Sequence, residues 1–340
     1  MVFLPVSQQS LEEGAKILLN GGLVVFPTET VYGLGADAFN PQALAKVFEA
    51  KGRPYFDPLI VHIAAIETLE TVAELSLLKE ETRKKLFILA ENLWPGPLSI
   101  ILPKNEKIPH IATAGLSTAA IRFPDNDAAQ KLISLSSGAV AAPSANPFGA
   151  LSPTRAEHVR CGLGEKVDMI LNGGPTRIGV ESTVLDITNK NIKILRPGGT
   201  PKEAIESLIG FISGNEQLTV NEKQPQVSPG QLKSHYAPVA ALFVLSREEI
   251  IQKTFNKDNA FLFFDNSTRD VWMNTQQPPS NVIVRVLSEK GCTLEAAAHL
   301  FETLHELDAC GVSSVFAQLA PLDGLGEAIN DRLIRGACIE

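Results

Sequence analysis

The chain has 340 residues, 44% of them hydrophobic and 20% charged, with 30 Lys and Arg set against 38 Asp and Glu. That length exceeds one ordinary hydrophobic core and predicts two domains, while the composition excludes a disordered chain and no apolar run is long enough to span a bilayer. The formal charge of −8 argues against a protein whose main task is gripping a nucleic-acid backbone, and leaves room for a local basic pocket.

The start, Met1-Val2-Phe3-Leu4-Pro5, carries no basic stretch, sustained apolar region or small-residue cleavage site, so a soluble, cytoplasmic protein is expected. Cys161, Cys292, Cys310 and Cys338 show no C-x-x-C spacing, which points to reduced, structural cysteines and not to a zinc site or a disulfide framework.

Apolar runs of strand length alternate with stretches of helical period, which predicts an α/β fold. The first strand is Leu23-Val24-Val25-Phe26, entered through Gly21-Gly22. Asn40-Pro41 is an N-cap followed by proline at the first helical position; the helix it opens carries Leu44, Val47 and Phe48 on one face and stops at Gly52. Strands follow at 59–63, 98–102, 119–123, 139–142 and 184–187. The first domain is expected to span 1–212 and a Gln-, Asn- and Pro-rich linker 213–238. Strands at 242–245, 261–264, 282–287 and 312–319, with helical patterns at 294–307 and 327–334, predict a smaller Rossmann-like α/β domain over 239–340. Neither domain carries G-x-G-x-x-G in a strand-to-helix turn or a P-loop, so a nucleotide would be bound in another way.

Several segments have the chemistry of a site. Pro27-Thr28-Glu29-Thr30-Val31-Tyr32-Gly33-Leu34-Gly35 follows the first strand directly and reads equally as a substrate-orienting loop or as a glycine-rich turn. Lys51-Gly52-Arg53-Pro54 sets two cations where extended geometry before proline lets both face one side, as a triphosphate would require; ordinary helix capping explains the Lys and Gly too. His62 interrupts an apolar strand, either as a core histidine bonded to a backbone carbonyl or as a pocket residue. Thr118 and Arg122 flank 119–121, and arginine is the side chain best shaped to hold a carboxylate. Pro143-Ser144-Ala145-Asn146, Ser152-Pro153-Thr154, Glu181-Ser182-Thr183 and Leu195-Arg196-Pro197-Gly198 each place a small polar group or a cation beside a turn.

Taken in order, these segments resemble the Sua5/YrdC/YwlC family of threonylcarbamoyl-AMP synthases, in the long form with an extra C-terminal domain; Ser228-Pro229-Gly230 and His235-Tyr236-Ala237-Pro238 resemble its interdomain motif. The resemblance implies a YrdC-like twisted mixed sheet with helices, followed by the smaller Rossmann-like domain. It also implies a nucleotidyltransferase that joins L-threonine, bicarbonate or CO2, and ATP with Mg2+. The product would feed N6-threonylcarbamoyladenosine synthesis in tRNA, with downstream transferase proteins as partners and room for a tRNA contact. Carried over residue by residue, Thr30, His62, Arg122, Ala142 and Ser182 would hold threonine. Lys51, Arg53, Asp57, Thr118, Ser144, Asn146, Ser152, Arg196 and Tyr236 would hold ATP, with Lys51 and Arg53 also acting in catalysis. Asp57 stands where the family often has asparagine, and would either bind Mg2+ or face away; Pro143 stands where many members have threonine, so a contact there would come from backbone, as of Ala142. The alternatives are an RNA-binding module of translation, against which the charge counts, and a carbamoyl-phosphate-dependent carbamoyltransferase, whose relatives carry cysteine-rich zinc modules that this sequence lacks.

Overall fold

The Asn40-Pro41 signal shows how directly local chemistry sets the elements: Asn40 accepts from the Gln42 and Ala43 amides, the helix runs Pro41–Lys51, and Gly52 ends it in the left-handed region at φ 65°. The computed structural model describes residues 1–189, 191–212, 235–256 and 258–337; Ser228-Pro229-Gly230, most of the expected linker and Cys338 lie outside the described residues. The described chain forms two units. One holds Met1–Phe148, Pro153–Arg177 and 181–212; the other holds Gly149–Ser152, Ile178–Val180 and 235–337.

In the first unit the strands are β1 (Val2–Pro5), β2 (Val24–Phe26), β3 (Gly33–Asp37), β4 (Ile60–Ile63), β5 (Leu98–Pro103), β6 (Thr118–Arg122), β7 (Ala139–Ala141), β8 (Met169–Asn172), β9 (Thr183–Asp186) and β10 (Lys193–Arg196). The helices are α1 (Gln8–Leu19), α2 (Pro41–Lys51), α3 (Leu69–Val72), α4 (Glu80–Leu93), α5 (Asp127–Leu135), α6 (Ala156–Gly162) and α7 (Lys202–Ile209). The strands build one mixed sheet in the order β1-β8-β2-β3-β7-β4-β6-β5-β9-β10. The pleat sends alternate residues to opposite cores: Val25 joins Leu44, Val47, Phe48, Leu86 and Leu89 of α2 and α4, whereas Val24 and Phe26 join Leu11, Leu18, Leu132 and Ile133 of α1 and α5.

The second unit has a parallel sheet, β11 (Ala241–Leu245), β12 (Asn259–Asp265), β13 (Ile283–Ser288) and β14 (Ser314–Gln318), in the order β11-β14-β12-β13, with α8 (Arg247–Gln252), α9 (Asn266–Gln276), α10 (Thr293–Ala309) and α11 (Gly326–Gly336). Trp272 of α9 packs 4.4 Å from Phe261 at the centre of its core. Among the described residues no helix is long and apolar enough to cross a membrane.

Two expectations change. Gly33-Leu34-Gly35, read as loop, belongs to β3 and pairs antiparallel with β2. Glycine is needed there because a Cβ on Gly35 would lie 2.7 Å from the Phe26 ring and 2.9 Å from Val140, so the residues are small for packing and not for turning. Cys161, Cys292 and Cys310 are free thiols, as expected, but they are exposed and so carry no structural packing role.

Candidate active site

Two cations and a carboxylate are buried where α2 ends. Lys51 is the last residue of α2, and its Nζ donates to the carbonyl oxygens of Ser144 at 2.6 Å and Asn146 at 2.5 Å, fastening the helix end to the loop after β7. Burial, reinforced by the nearby charge of Arg53, holds the Lys51 ammonium well below its ordinary pKa, while Asp57 and Glu181 act in the opposite sense. Arg53 folds back on its own loop, donating from Nε to the Asp57 carbonyl and from Nη2 to the Pro58 carbonyl, with Nη2 2.8 Å from Asp57 Oδ2. Burial raises the Asp57 pKa, and Arg53, Lys51 and Arg196 pull it back down. Asp57 is thus the internal counter-ion of a cation cluster.

Next to that cluster, strand register assembles a row. His62 of β4 stands opposite Arg122 of β6, and Arg122 stands opposite Ser99 of β5, so the three share one face of the sheet. Val61 and Ile63 point into the opposite core, which leaves His62 on the Phe26 side, edge-on to that ring at 6.3 Å. Its Nδ1 is 3.1 Å from the Ile60 carbonyl, and burial, followed by the charge of Arg122, pushes its pKa down to about 3. A backbone partner was one of the two readings of His62, and it holds; the residue also stands in register with Arg122. Arg122 lies 2.7 Å from Glu29 Oε1, both side chains almost wholly buried, and its Nε donates to the Gly96 carbonyl at 3.3 Å. Ser99 Oγ is 2.8 Å from Ser182 Oγ, and Arg196 donates to both the carbonyl and the hydroxyl of Ser182.

The loops are zipped by backbone bonds. Leu34 donates to Pro143, Ala145 to Tyr32, Tyr32 to Pro153 and Ala142 to Ile60. Within 27–32, Thr30 Oγ1 bonds Thr28 Oγ1 at 2.8 Å, and Thr28 Oγ1 donates to the Val31 carbonyl. Tyr32 donates its hydroxyl to the Gly174 carbonyl, and burial pushes its pKa up to about 12. The turn after Arg196 demands glycine: a Cβ on Gly198 would lie 2.3 Å from the Glu181 carbonyl oxygen.

The structure therefore brings Lys51, Arg53, Asp57, Ser144, Asn146, Ser182 and Arg196 into one connected set, and Thr30, His62, Ala142 and Arg122 onto adjoining strands and loops. Thr118 is placed differently. It opens β6 opposite Pro103, at the other end of the strand from Arg122, about 13 Å away by strand rise. Ser152 and Tyr236 belong to the second unit. The Ser152 carbonyl is 3.2 Å from His305 Nε2. The Tyr236 ring is buried against Phe301, with the Arg332 guanidinium 5.1 Å above it, and its backbone is left-handed at φ 66°, uncommon for a residue with a Cβ. Sequence reasoning missed Ser99, which reads as one small residue in a strand, gave Glu29 only a place among the polar groups of a substrate-orienting loop, and gave Glu181 no role of its own.

A family model described as "Telomere recombination" (Sua5_yciO_yrdC) matches residues 16–198, and one described as "Threonylcarbamoyl-AMP synthase, C-terminal domain" matches 200–338. The threonylcarbamoyl-AMP synthase of Pyrococcus abyssi is 39% identical over 330 residues, covering 96% of this chain and 94% of that one. That of Bacillus subtilis is 40% identical over 340 residues, covering 98% and 94%. The crystal structure of P. abyssi Sua5 complexed with L-threonine has a TM-score of 0.85 at 38% identity, covering 99% of this chain and 96% of that one. With both models matched in order and full-length relatives at this identity, the chain belongs to the Sua5/YrdC/YwlC family, in its long form with the C-terminal domain.

Proposed function

We propose that the chain is an L-threonylcarbamoyl-AMP synthase, joining L-threonine, bicarbonate or CO2, and ATP into L-threonylcarbamoyladenylate and pyrophosphate for N6-threonylcarbamoyladenosine synthesis in tRNA. The observation that carries this reading is the buried meeting of Lys51, Arg53 and Arg196 around Asp57, with Arg196 bonded to Ser182 and Ser182 to Ser99 of the row that holds Arg122 and His62. Asp57 and Glu181 act electrostatically on Lys51 within the protein, Asp57 also faces Arg53 and Arg196, and the same three basic side chains are the type that holds a polyphosphate.

In this mechanism Arg122 pairs with the threonine carboxylate and neutral His62, Thr30, Ser182 and the Ala142 backbone fix the rest of the amino acid. Once the amine carries its carboxylate group, an oxygen of that group attacks the α-phosphorus and pyrophosphate leaves. Lys51, Arg53 and Arg196 offset the charge that builds on the phosphates, and much of the rate comes from holding the two reactants in line. By family resemblance Ser144 and Asn146 add nucleotide contacts, and the same resemblance implies an ATP-binding role for Thr118, Ser152 and Tyr236. Mg2+ would enter on the triphosphate and draw charge from its oxygens; among the described residues no three His, Cys, Asp or Glu side chains gather as a ligand set of the protein's own, and Asp57 is engaged by Arg53.

The test is pyrophosphate release from ATP by purified protein with Mg2+, omitting threonine or bicarbonate in turn. Release that needs both supports the synthase. Release indifferent to both, with salt-sensitive RNA affinity, favours the RNA-binding alternative, and turnover of carbamoyl phosphate favours the carbamoyltransferase.

A further inference from the structure

Glu29 is the buried group that the mechanism leaves unused. It is 3% exposed, it sits between Thr28 and Thr30, and neither carboxylate oxygen accepts a hydrogen bond. Its neighbour is Arg122, 2.7 Å away, whose Nη2 also lacks a hydrogen-bond partner: the two charges are close, but the contact is out of line for a hydrogen bond. A buried carboxylate without donors is costly, and a single misaligned guanidinium offsets only part of that cost. Other nearby donors are committed: Thr28 Oγ1 to Val31, Arg122 Nε to Gly96.

We infer that Glu29 and Arg122 form a two-ended clamp for a zwitterion, with Glu29 receiving the α-ammonium and Arg122 the α-carboxylate of the amino-acid substrate. This deepens the threonine reading of the same site and rests on it. Four charges of alternating sign in a dry pocket satisfy one another, whereas a simple carboxylic acid or a simple amine would leave one buried charge unanswered. Glu29 thereby selects an α-amino acid, which Arg122 alone does not. It is also the group placed to take a proton when the nitrogen becomes a nucleophile. With bicarbonate, the ammonium nitrogen forms a bond to carbon and sheds two protons on the way to the carbamate. One leaves with the hydroxyl of bicarbonate as water, and the other passes to Glu29 and then to solvent.

The experiment is calorimetric titration of the full chain with L-threonine and with the hydroxy acid in which a hydroxyl replaces the ammonium. In the unaltered protein, threonine binds at least about ten-fold more tightly than the hydroxy acid, as expected for a charge-assisted hydrogen bond. In Glu29→Gln, threonine affinity falls by about 10- to 100-fold while the hydroxy acid is held as before, so the preference collapses. Equal affinity for both ligands in the unaltered protein overturns the clamp, and this arm does not depend on the variant folding. Equal losses of both ligands in a folded Glu29→Gln also overturn it, because Glu29 would then only support Arg122. An unaltered protein that binds neither ligand and turns over ATP without threonine overturns the threonine reading itself; one that binds threonine while Glu29→Gln binds it equally well overturns the clamp alone.

Discussion

Arg196 grips Ser182 three times: Nε and Nη2 donate to its carbonyl at 3.2 and 2.9 Å, and Nη2 donates to its hydroxyl at 3.1 Å. Only a planar fork reaches two acceptors of one residue in this way. Arg196→Lys keeps the charge near Asp57 and loses the fork, so Ser182 is freed to turn away from Ser99. Both substrates should bind more weakly, with KM for threonine and for ATP each rising about ten-fold. Steady-state kinetics with each substrate varied in turn checks this; an unchanged KM for threonine would show that Arg196 serves the nucleotide alone.

Lys51 gives a cleaner separation. Its ammonium stands between two carbonyl oxygens and beside Arg53, a place where burial already works against the charge. An arriving phosphate would restore it, so the ammonium is held ready for an anion. Lys51→Met should lower turnover by about 100-fold or more and leave the calorimetric affinity for threonine within about three-fold, since Arg122 and its row are carried on other strands. Loss of threonine binding as well would mean that Lys51 mainly holds the Ser144 and Asn146 loop in place.

The sequence announced the parts of this site more clearly than their partners. The helix at Asn40-Pro41, its stop at Gly52 and the strands after it are local consequences of capping and periodicity, and they appear within a residue or two of expectation. Glu29 and Arg122 are far apart in the chain and meet only because β6 and the loop after β2 converge, which no local pattern records. Ser99 becomes visible only through register, opposite Arg122 and beside Ser182. Thr118 and Arg122 looked like a pair flanking one strand, yet a strand sends its two ends in opposite directions. The grouping of Gly149–Ser152 and Ile178–Val180 with the C-terminal unit was equally hidden, because reading along the chain divides it only into consecutive blocks.

His62 sets a pH dependence. Burial and Arg122 depress its pKa from 6.5 to about 3. Between those values the unfolded chain binds a proton that the folded chain refuses, so stability is complete above pH 6.5 and is lost as the pH falls toward 3. At pH 5 the loss is about 2 kcal/mol, from 1.5 units at about 1.4 kcal/mol each. His62→Gln cannot titrate, so denaturant midpoints of the two proteins should converge, or cross, on going from pH 7.5 to 5. Parallel acid curves would mean that the ring is protonated in the folded state.

Gly174 and Gly179 share the same positive φ, 79°, and differ in what surrounds them. A Cβ on Gly174 would meet nothing within 4 Å, whereas one on Gly179 would lie 2.3 Å from the Ala297 carbonyl oxygen and 2.6 Å from the Ala298 Cα on α10. Gly174→Ala therefore bears only the left-handed strain, about 1 to 2 kcal/mol. Gly179→Ala bears the same strain and a clash with helix backbone that cannot rotate away, for about 3 kcal/mol or more in all. The functional consequences should differ in the same direction. Val180 is fully buried and leads directly into Glu181 and Ser182, so a displacement at Gly179 is handed along the chain to Ser182, which is proposed above to hold threonine. Thermal unfolding should rank the two variants in that order, and only Gly179→Ala should raise KM for threonine. Equal destabilisation of both would mean that Ile178–Val180 can move off α10 at little cost, and that Ser182 does not depend on that contact for its position.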